Sequence, residues 1–173
     1  MASTQDQLLR RLDELGIAHR TISHPPVLTV EAAREHTRDL PGSHCKSLFV
    51  KDKKGELCLL VCLDHRRIDT GRLAKEVGSP RLSFGQPDLL QAVLGAIPGA
   101  VTPFALINDR ERRVQPLLDQ AMLAHAELNF HRLTNTATTT IKATDLLRFL
   151  GACGHWPQIL DVGATGIAKP AIT

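Results

Sequence analysis

The chain has 173 residues, of which 43% are hydrophobic, 23% charged and 3% aromatic, with no tyrosine. That composition excludes disordered and collagen-like classes, and it leaves aliphatic side chains to fill a core in a chain long enough to bury well over half of its unfolded surface. The net charge of +3 is too small to mark a nucleic-acid binder, yet it is unevenly spread: Lys46 to Arg81 holds nine Lys or Arg against five Asp or Glu, so the remainder sums to −1. Such a segment is either a solvated charged face or a basic surface able to follow a phosphate backbone.

No apolar run approaches the ~20 residues needed to span a bilayer, and the amphipathic N-terminus lacks a signal-peptide core, which places the protein in the cytoplasm. The four cysteines (Cys45, Cys58, Cys62, Cys153) contain no C-x-x-C pair, and they read as packed thiols rather than disulfides or a zinc site.

In chain order, Ser3-Thr4-Gln5-Asp6 has the spacing of a capping box, and Leu8, Leu9, Leu12 and Leu15 recur at helical intervals up to Gly16. Residues 18–23 read as a short strand, after which Pro25-Pro26 forces an extended turn. Thr29 caps a polar helix over 30–37 that gains little from packing and reads as a mobile lid. Strand 45–51, the turn "DKKGE" and strand 57–63 form a hairpin; the second strand, "LCLLVCL", is apolar at both parities and so is covered on both faces.

Asp69 or Thr70 caps a helix to Val77, "RLSF" makes a short strand, and Pro87 opens a helix that ends at Gly95. "VTPFALI" (101–107) and "RRVQPLL" (112–118) read as a second hairpin, with Pro116 on an edge strand. "ELNFHRL" and "NTATTTIK" give two more strands, a helix runs from Thr144 to Cys153, and residues 164–173 form a tail behind a single domain over 1–163. Hairpins outnumber crossovers, which predicts an α+β fold: a mixed, largely antiparallel, barrel-like sheet with helices packed outside.

Dinucleotide, P-loop, zincin and nucleophile-elbow motifs are absent, and no two histidines have useful ligand spacing. Cys45 beside His44, with His131, could act as a thiol and base, or simply be a packed thiol. Lys46 stands out because it shares a strand face with Leu48 and Val50. An inward lysine either snorkels to the rim or meets an anion or carbonyl. In "PGAVTPF" (98–104), Gly99 and Pro103 bracket a rigid turn whose N–H groups at Ala100, Val101 and Thr102 are candidates to hold a polarised carbonyl or a ribose hydroxyl in a cavity shared with Lys46.

Taken together, "KSLFVKDKKGELCLLV", "RLSF", "PGAVTPFALIND", "LNFHRLTNTATTTI" and "DLLRFLGACGH" resemble the YbaK/ProXp-ala (PrdX-like) family of free-standing editing domains, related to the insertion domain of bacterial prolyl-tRNA synthetases. The resemblance spans about residue 5 to residue 162. It implies hydrolysis of mischarged Ala-tRNA(Pro) with no metal, cofactor or nucleophilic triad. It also implies that Lys46 anchors the terminal adenosine or the substrate carbonyl, and that Gly99 to Pro103 form the substrate turn. The family's "NFHP"-like block falls on Asn129, Phe130 and His131, with Arg132 where proline is common; Ser47 stands where many relatives have asparagine. His131 is an orienter of substrate or a structural histidine. Lys51 and Arg81 are the expected contacts to the acceptor stem of tRNA(Pro), and prolyl-tRNA synthetase is the expected partner of a monomer. Three alternatives remain: a deacylase for Cys-tRNA(Pro) or another small aminoacyl-tRNA, a catalytically silent tRNA-binding module, and a generic small-molecule esterase.

Overall fold

The computed structural model describes residues 3–26, 31, 35, 38 and 40–161. The expected helix over 30–37 and its capping Thr29 fall mostly outside the described residues, and the 164–173 tail wholly outside them. Helix α1 (Gln5–Glu14) starts one residue later than the Ser3–Asp6 box predicts. Thr4 Oγ1 accepts from the Gln7 N–H at 3.2 Å, and Gln7 Oε1 accepts from the Thr4 N–H at 2.8 Å. Ser3 is taken by another task, its N–H donating to Asn108 Oδ1 at 2.7 Å. Leu8 and Leu12 then face inward, fully buried.

Eight strands occur among the described residues: β1 (Arg20–Ser23), β2 (Ser43–Asp52), β3 (Leu57–Leu63), β4 (Leu82–Phe84), β5 (Val114–Asp119), β6 (Glu127–His131), β7 (Ala137–Lys142) and β8 (Gln158–Leu160). They form one mixed sheet in the order β1-β7-β6-β2-β3-β5-β8, with β4 paired to β2 off that path. The α+β class and the mixed sheet are as the sequence predicts. The pairings β2/β6, β3/β5 and β5/β8 are parallel, and the two that involve β5 follow from one difference. Residues Pro103–Asn108 are a 3-10 helix rather than a strand, so no second hairpin forms. Pro103 sits at the first position of that helix, and Thr102 Oγ1 accepts from the Phe104 N–H at 3.3 Å, a cap in place of a strand entry.

Pro116 does not mark an edge strand, because β5 lies between β3 and β8. The proline sits one residue ahead of the β8 pairing, and there the Gln115 side-chain amide bridges the carbonyls of Pro116 and Trp156 at 3.0 and 2.9 Å.

Cross-strand partners share a face, so the register divides the sheet into two sides. On the first, Phe49, Leu59, Val61, Leu118, Leu128 and Phe130 form the larger core with α1, α3 (Pro87–Leu94), the 3-10 helix and α4 (Ala143–Ala152). Three of the five phenylalanines meet there: Phe104 makes edge-to-face contacts with Phe130 at 5.7 Å and Phe149 at 5.5 Å. On the second, Val50, Leu60 and Leu117 pack against Leu73 and Ala74 of α2 (Thr70–Glu76). β3 is covered on both faces, as its sequence predicts, with Leu59, Leu60, Val61 and Cys62 fully buried. Among the described residues, no helix is long and apolar enough to cross a membrane.

The junction after β4 is the tightest point near β2. The Gly85 N–H donates to the Phe49 carbonyl at 2.9 Å, and a Cβ on residue 85 would lie 2.3 Å from Phe49 Cδ2. Phe49 is itself buried in the larger core, so its ring has little room to yield. Gly85→Ala is therefore expected to destabilise the fold by about 1–3 kcal/mol, seen as a lower urea midpoint with an unchanged m-value.

Candidate active site

Strand β2 organises the site because one of its edges is shared. Along one edge it pairs continuously with β3, from Cys45–Leu63 to Lys51–Leu57. The other edge meets β6 only at Ser43 and His44, and β4 only from Val50 to Asp52. The His44 carbonyl accepts from the Asp64 N–H, and the Asp52 N–H donates to the Glu56 carbonyl, so even-numbered residues direct their main-chain polar groups to β3. Odd-numbered residues point to the shared edge, where the Phe49 carbonyl takes the Gly85 N–H. Ser47 thus presents its N–H and C=O at the gap between β6 and β4. This main-chain feature is independent of whether residue 47 is Ser or Asn.

Lys46 belongs to the second face, in a row with Cys62 of β3 and Asp119 of β5. Its Nζ donates to the Arg66 carbonyl, while Arg66 Nε lies 3.5 Å from Asp119 Oδ2. Asp119 is fully buried, and its other oxygen accepts from the Ala121 N–H at 3.1 Å. The inward lysine is therefore held in a charged row rather than left as an isolated ammonium.

The turn is built from Ile97-Pro98-Gly99-Ala100. Gly99 has φ of +87°, the Ala100 N–H donates to the Ile97 carbonyl at 3.0 Å, and proline followed by glycine suits a type II turn. The amide of Ala100 is thereby spent inside the turn, which removes one of the three donors expected from the sequence. No acceptor among the described residues engages the N–H of Val101 or Thr102, although Thr102 is fully buried. Pro103 then enters the 3-10 helix, whose far end is pinned by Asp109. That carboxylate accepts from the N–H of Arg113 at 3.0 Å and of Val114 at 2.8 Å, and pairs with His155 Nε2 at 2.9 Å. The turn packs toward the larger core, on the face of Ser47, whereas Lys46 occupies the opposite face. The two therefore do not line one side of the sheet, contrary to the shared cavity expected from the sequence.

His131 lies on the same face as Lys46, at the end of β6 and opposite Thr138. Its Nδ1 is buried without a hydrogen-bond partner, and burial, then the neighbouring His24, lowers its pKa from the ordinary value. His24 in turn bonds Thr138 Oγ1 at 2.9 Å and the Pro25 carbonyl at 3.0 Å. The Thr140 hydroxyl donates to Asn129 Oδ1, leaving the buried Nδ2 of Asn129 without a partner. Sequence reading missed this polar row; the alternation of Thr138 and Thr140 opposite His131 and Asn129 was its signal. Arg132, where the resemblance leads one to expect proline, has a structural effect: its N–H donates to the Ala137 carbonyl at 3.1 Å, and its guanidinium holds Gln5 Oε1 at 2.7 and 3.0 Å. Proline could make neither bond.

Cys45 packs on the larger core, and burial raises its thiol pKa, which disfavours a nucleophilic thiolate. Burial likewise pushes Cys62 up to about 12, and Cys58 and Cys153 up to about 11. Among the described residues, no group of three His, Cys, Asp or Glu could hold a metal ion. Lys51 and Arg81 do come together: with Lys53, Asp52, Gly55 and Ser83 they line an open cleft of about 300 Å³ at the far end of β2.

Residues 24–149 match the model of the aminoacyl-tRNA editing domain. The chain belongs to the aminoacyl-tRNA editing domain family. It is 41% identical over 153 residues to the prolyl-tRNA synthetase associated domain-containing protein 1 of Danio rerio, covering 87% of this chain and 83% of that one. It is 33% identical over 156 residues to the prolyl-tRNA editing protein ProX of Acetoanaerobium sticklandii, covering 90% and 95%. A crystal structure described as a candidate trans-editing enzyme for prolyl tRNA synthetase superposes with a TM-score of 0.71 at 22% identity, covering 93% and 98%, a likeness of fold.

Because its folded pKa lies below the unfolded value of about 6.5, His131 favours the neutral ring in this editing domain. The associated stability is full above that value and is lost as pH falls from it toward the folded pKa. Proton NMR titration should give a His131 midpoint below that of a free imidazole, and His24→Gln should move it upward.

Proposed function

We propose that the chain is a trans-acting deacylase that hydrolyses the ester of mischarged Ala-tRNA(Pro), a cytoplasmic monomer acting beside prolyl-tRNA synthetase without metal or cofactor. Its partner is the acceptor end of tRNA(Pro). The family supports the class of reaction, and the prolyl-tRNA editing protein and synthetase-associated proteins among its relatives support the prolyl context. The observation that carries the reading is the pair of unengaged amides at Val101 and Thr102, on a turn closed by the Ala100–Ile97 bond and leading into the 3-10 helix.

In this reading the ester carbonyl oxygen faces those amides. Water attacks the carbonyl carbon, the carbonyl electron pair moves onto oxygen, and the amides stabilise the oxyanion without reorganising. Collapse breaks the bond to the ribose 3′-oxygen, which takes a proton, and the amino acid leaves as a carboxylate. The neighbouring ribose 2′-hydroxyl positions the water. Lys46 anchors the terminal adenosine or the carbonyl from the opposite face, Ser47 offers main-chain groups between them, and neutral His131 orients the substrate. Lys51 and Arg81 take phosphates of the acceptor stem.

The task has a physical basis. A synthetase pocket shaped for proline rejects the smaller alanine by only ~1–3 kcal/mol for each missing methylene, so a second, smaller sieve is useful. A pocket that admits alanine excludes the proline ring by overlap.

Deacylation of Ala-, Cys- and Pro-tRNA(Pro) tests the reading. The alanyl ester should be lost and the prolyl ester spared, and Lys46→Ala should slow the reaction by roughly 10²–10³-fold. Preferential loss of the cysteinyl ester would move the substrate, hydrolysis of none would leave a binding module, and equal hydrolysis of simple esters would indicate a generic esterase. Lys51→Ala should weaken tRNA binding and reduce the dependence of log affinity on log salt by about 0.7–0.9. Equal loss of activity on an aminoacyl-adenosine fragment would refute that assignment.

A further inference from the structure

Phe84 is the last residue of β4 and is 60% exposed. Its neighbours explain why it cannot retreat. Leu82, two residues back on the same side, is buried under α2, and Val50, the cross-strand partner of Phe84, is fully buried. Immediately after it, Gly85 is held on the Phe49 carbonyl in a junction too tight for a Cβ. The ring is thus fixed at the lip of the gap in β2.

Its position is informative because the features along β2 fall in order. Lys46 comes first, then the open edge at Ser47, then Val50 with Phe84 beside it, then Lys51 opposite Ser83, and last Lys53 and Arg81 around the basic cleft. Ser83 lines the cleft on one side of β4, while Phe84 turns to the side of Lys46. Four residues of strand separate Lys46 from Val50, about 13 Å. An exposed aromatic ring one strand-width from clustered cations, here across β4, lets a single-stranded nucleic acid place a base on the ring and its phosphates on the cations. Trp156 is also exposed, but it precedes β8 at the far end of the sheet.

We propose that Phe84 is a stacking platform for an unpaired base of the tRNA 3′ end, the one preceding the terminal adenosine. The sugar-phosphate chain crosses the free edge of β4, with its phosphates toward Lys51, Lys53 and Arg81 and its base on Phe84, so that the terminal ribose reaches Lys46. This rests on the deacylase reading for the identity of the RNA. Stacking is tolerant of base identity, so Phe84 sets the register of the strand rather than the choice of aminoacyl group.

The test uses an RNA hairpin with a single-stranded 3′ overhang carrying 2-aminopurine at the penultimate position, and a matching blunt hairpin. Wild-type protein should quench the fluorophore on binding. Phe84→Ala should abolish the quench and weaken overhang binding by roughly tenfold, with Phe84→Trp restoring both and Phe84→Leu restoring neither. The blunt hairpin should bind all four proteins alike. A quench that survives in Phe84→Ala, full function in Phe84→Leu, or equal loss on the blunt hairpin would overturn the proposal. Its fate is separable from that of the parent reading. A Phe84-dependent quench in a protein that deacylates nothing would sustain the platform and sink the deacylase. Deacylation with a Phe84-independent quench would do the reverse.

Discussion

The site depends on the divided edge of β2. A ten-residue strand that paired along its whole length on both sides would leave no main-chain group available, and every side chain on it would be packed against a neighbour. Here β6 departs after His44 and β4 arrives only at Val50. Because the two faces of a strand are only one residue apart, Lys46 and Ser47 can serve opposite sides of the same opening. The cost is a stretch of β2 edge that no strand pairs among the described residues, which is tolerated because β3, on the other edge, is buried on both faces and holds β2 in register.

The turn at Gly99 to Pro103 gains its rigidity from residues far away in sequence. A short glycine-proline turn alone would be a mobile loop. Its exit is a 3-10 helix whose central ring, Phe104, is gripped edge-to-face by Phe130 and Phe149, and whose end is tied by Asp109 to two amides and to His155. Preorganised donors stabilise developing charge only if they do not move as it forms. The buried Asp109–His155 pair therefore anchors the segment that follows the turn. It does so by fixing where the turn begins its descent into the core.

Much of this was legible in the sequence. Helix α1, the β2/β3 hairpin, the double-sided burial of β3 and the inward position of Lys46 follow from periodicity alone, because each depends on neighbours close in the chain. The misread segment was 101–107, where an apolar run looked like a strand. Its outcome turned on Thr102 capping and Pro103 starting a helix, and a short apolar run does not by itself distinguish strand from helix. Once that hairpin is lost, β5 must find other partners, and the parallel pairings with β3 and β8 follow. No local signal encodes those pairings. The Asp109–His155 pair was equally hidden, since its members are 46 residues apart.

The two departures from the family pattern have different physical meanings. Arg132 gains contacts that proline could not make: a main-chain bond to Ala137 and a guanidinium clasp on Gln5 of α1. That change reinforces the end of β6, and so the place of His131, without entering the site. Ser47 lies at the opening itself, but the register directs its main-chain N–H and C=O to the gap whatever the side chain is. A shorter side chain there removes one amide's worth of hydrogen-bonding capacity while leaving the backbone pair in place. On the deacylase reading proposed above, that loss alters both the space and the hydrogen bonding at the opening, while the main-chain pair, set by register, is common to either residue.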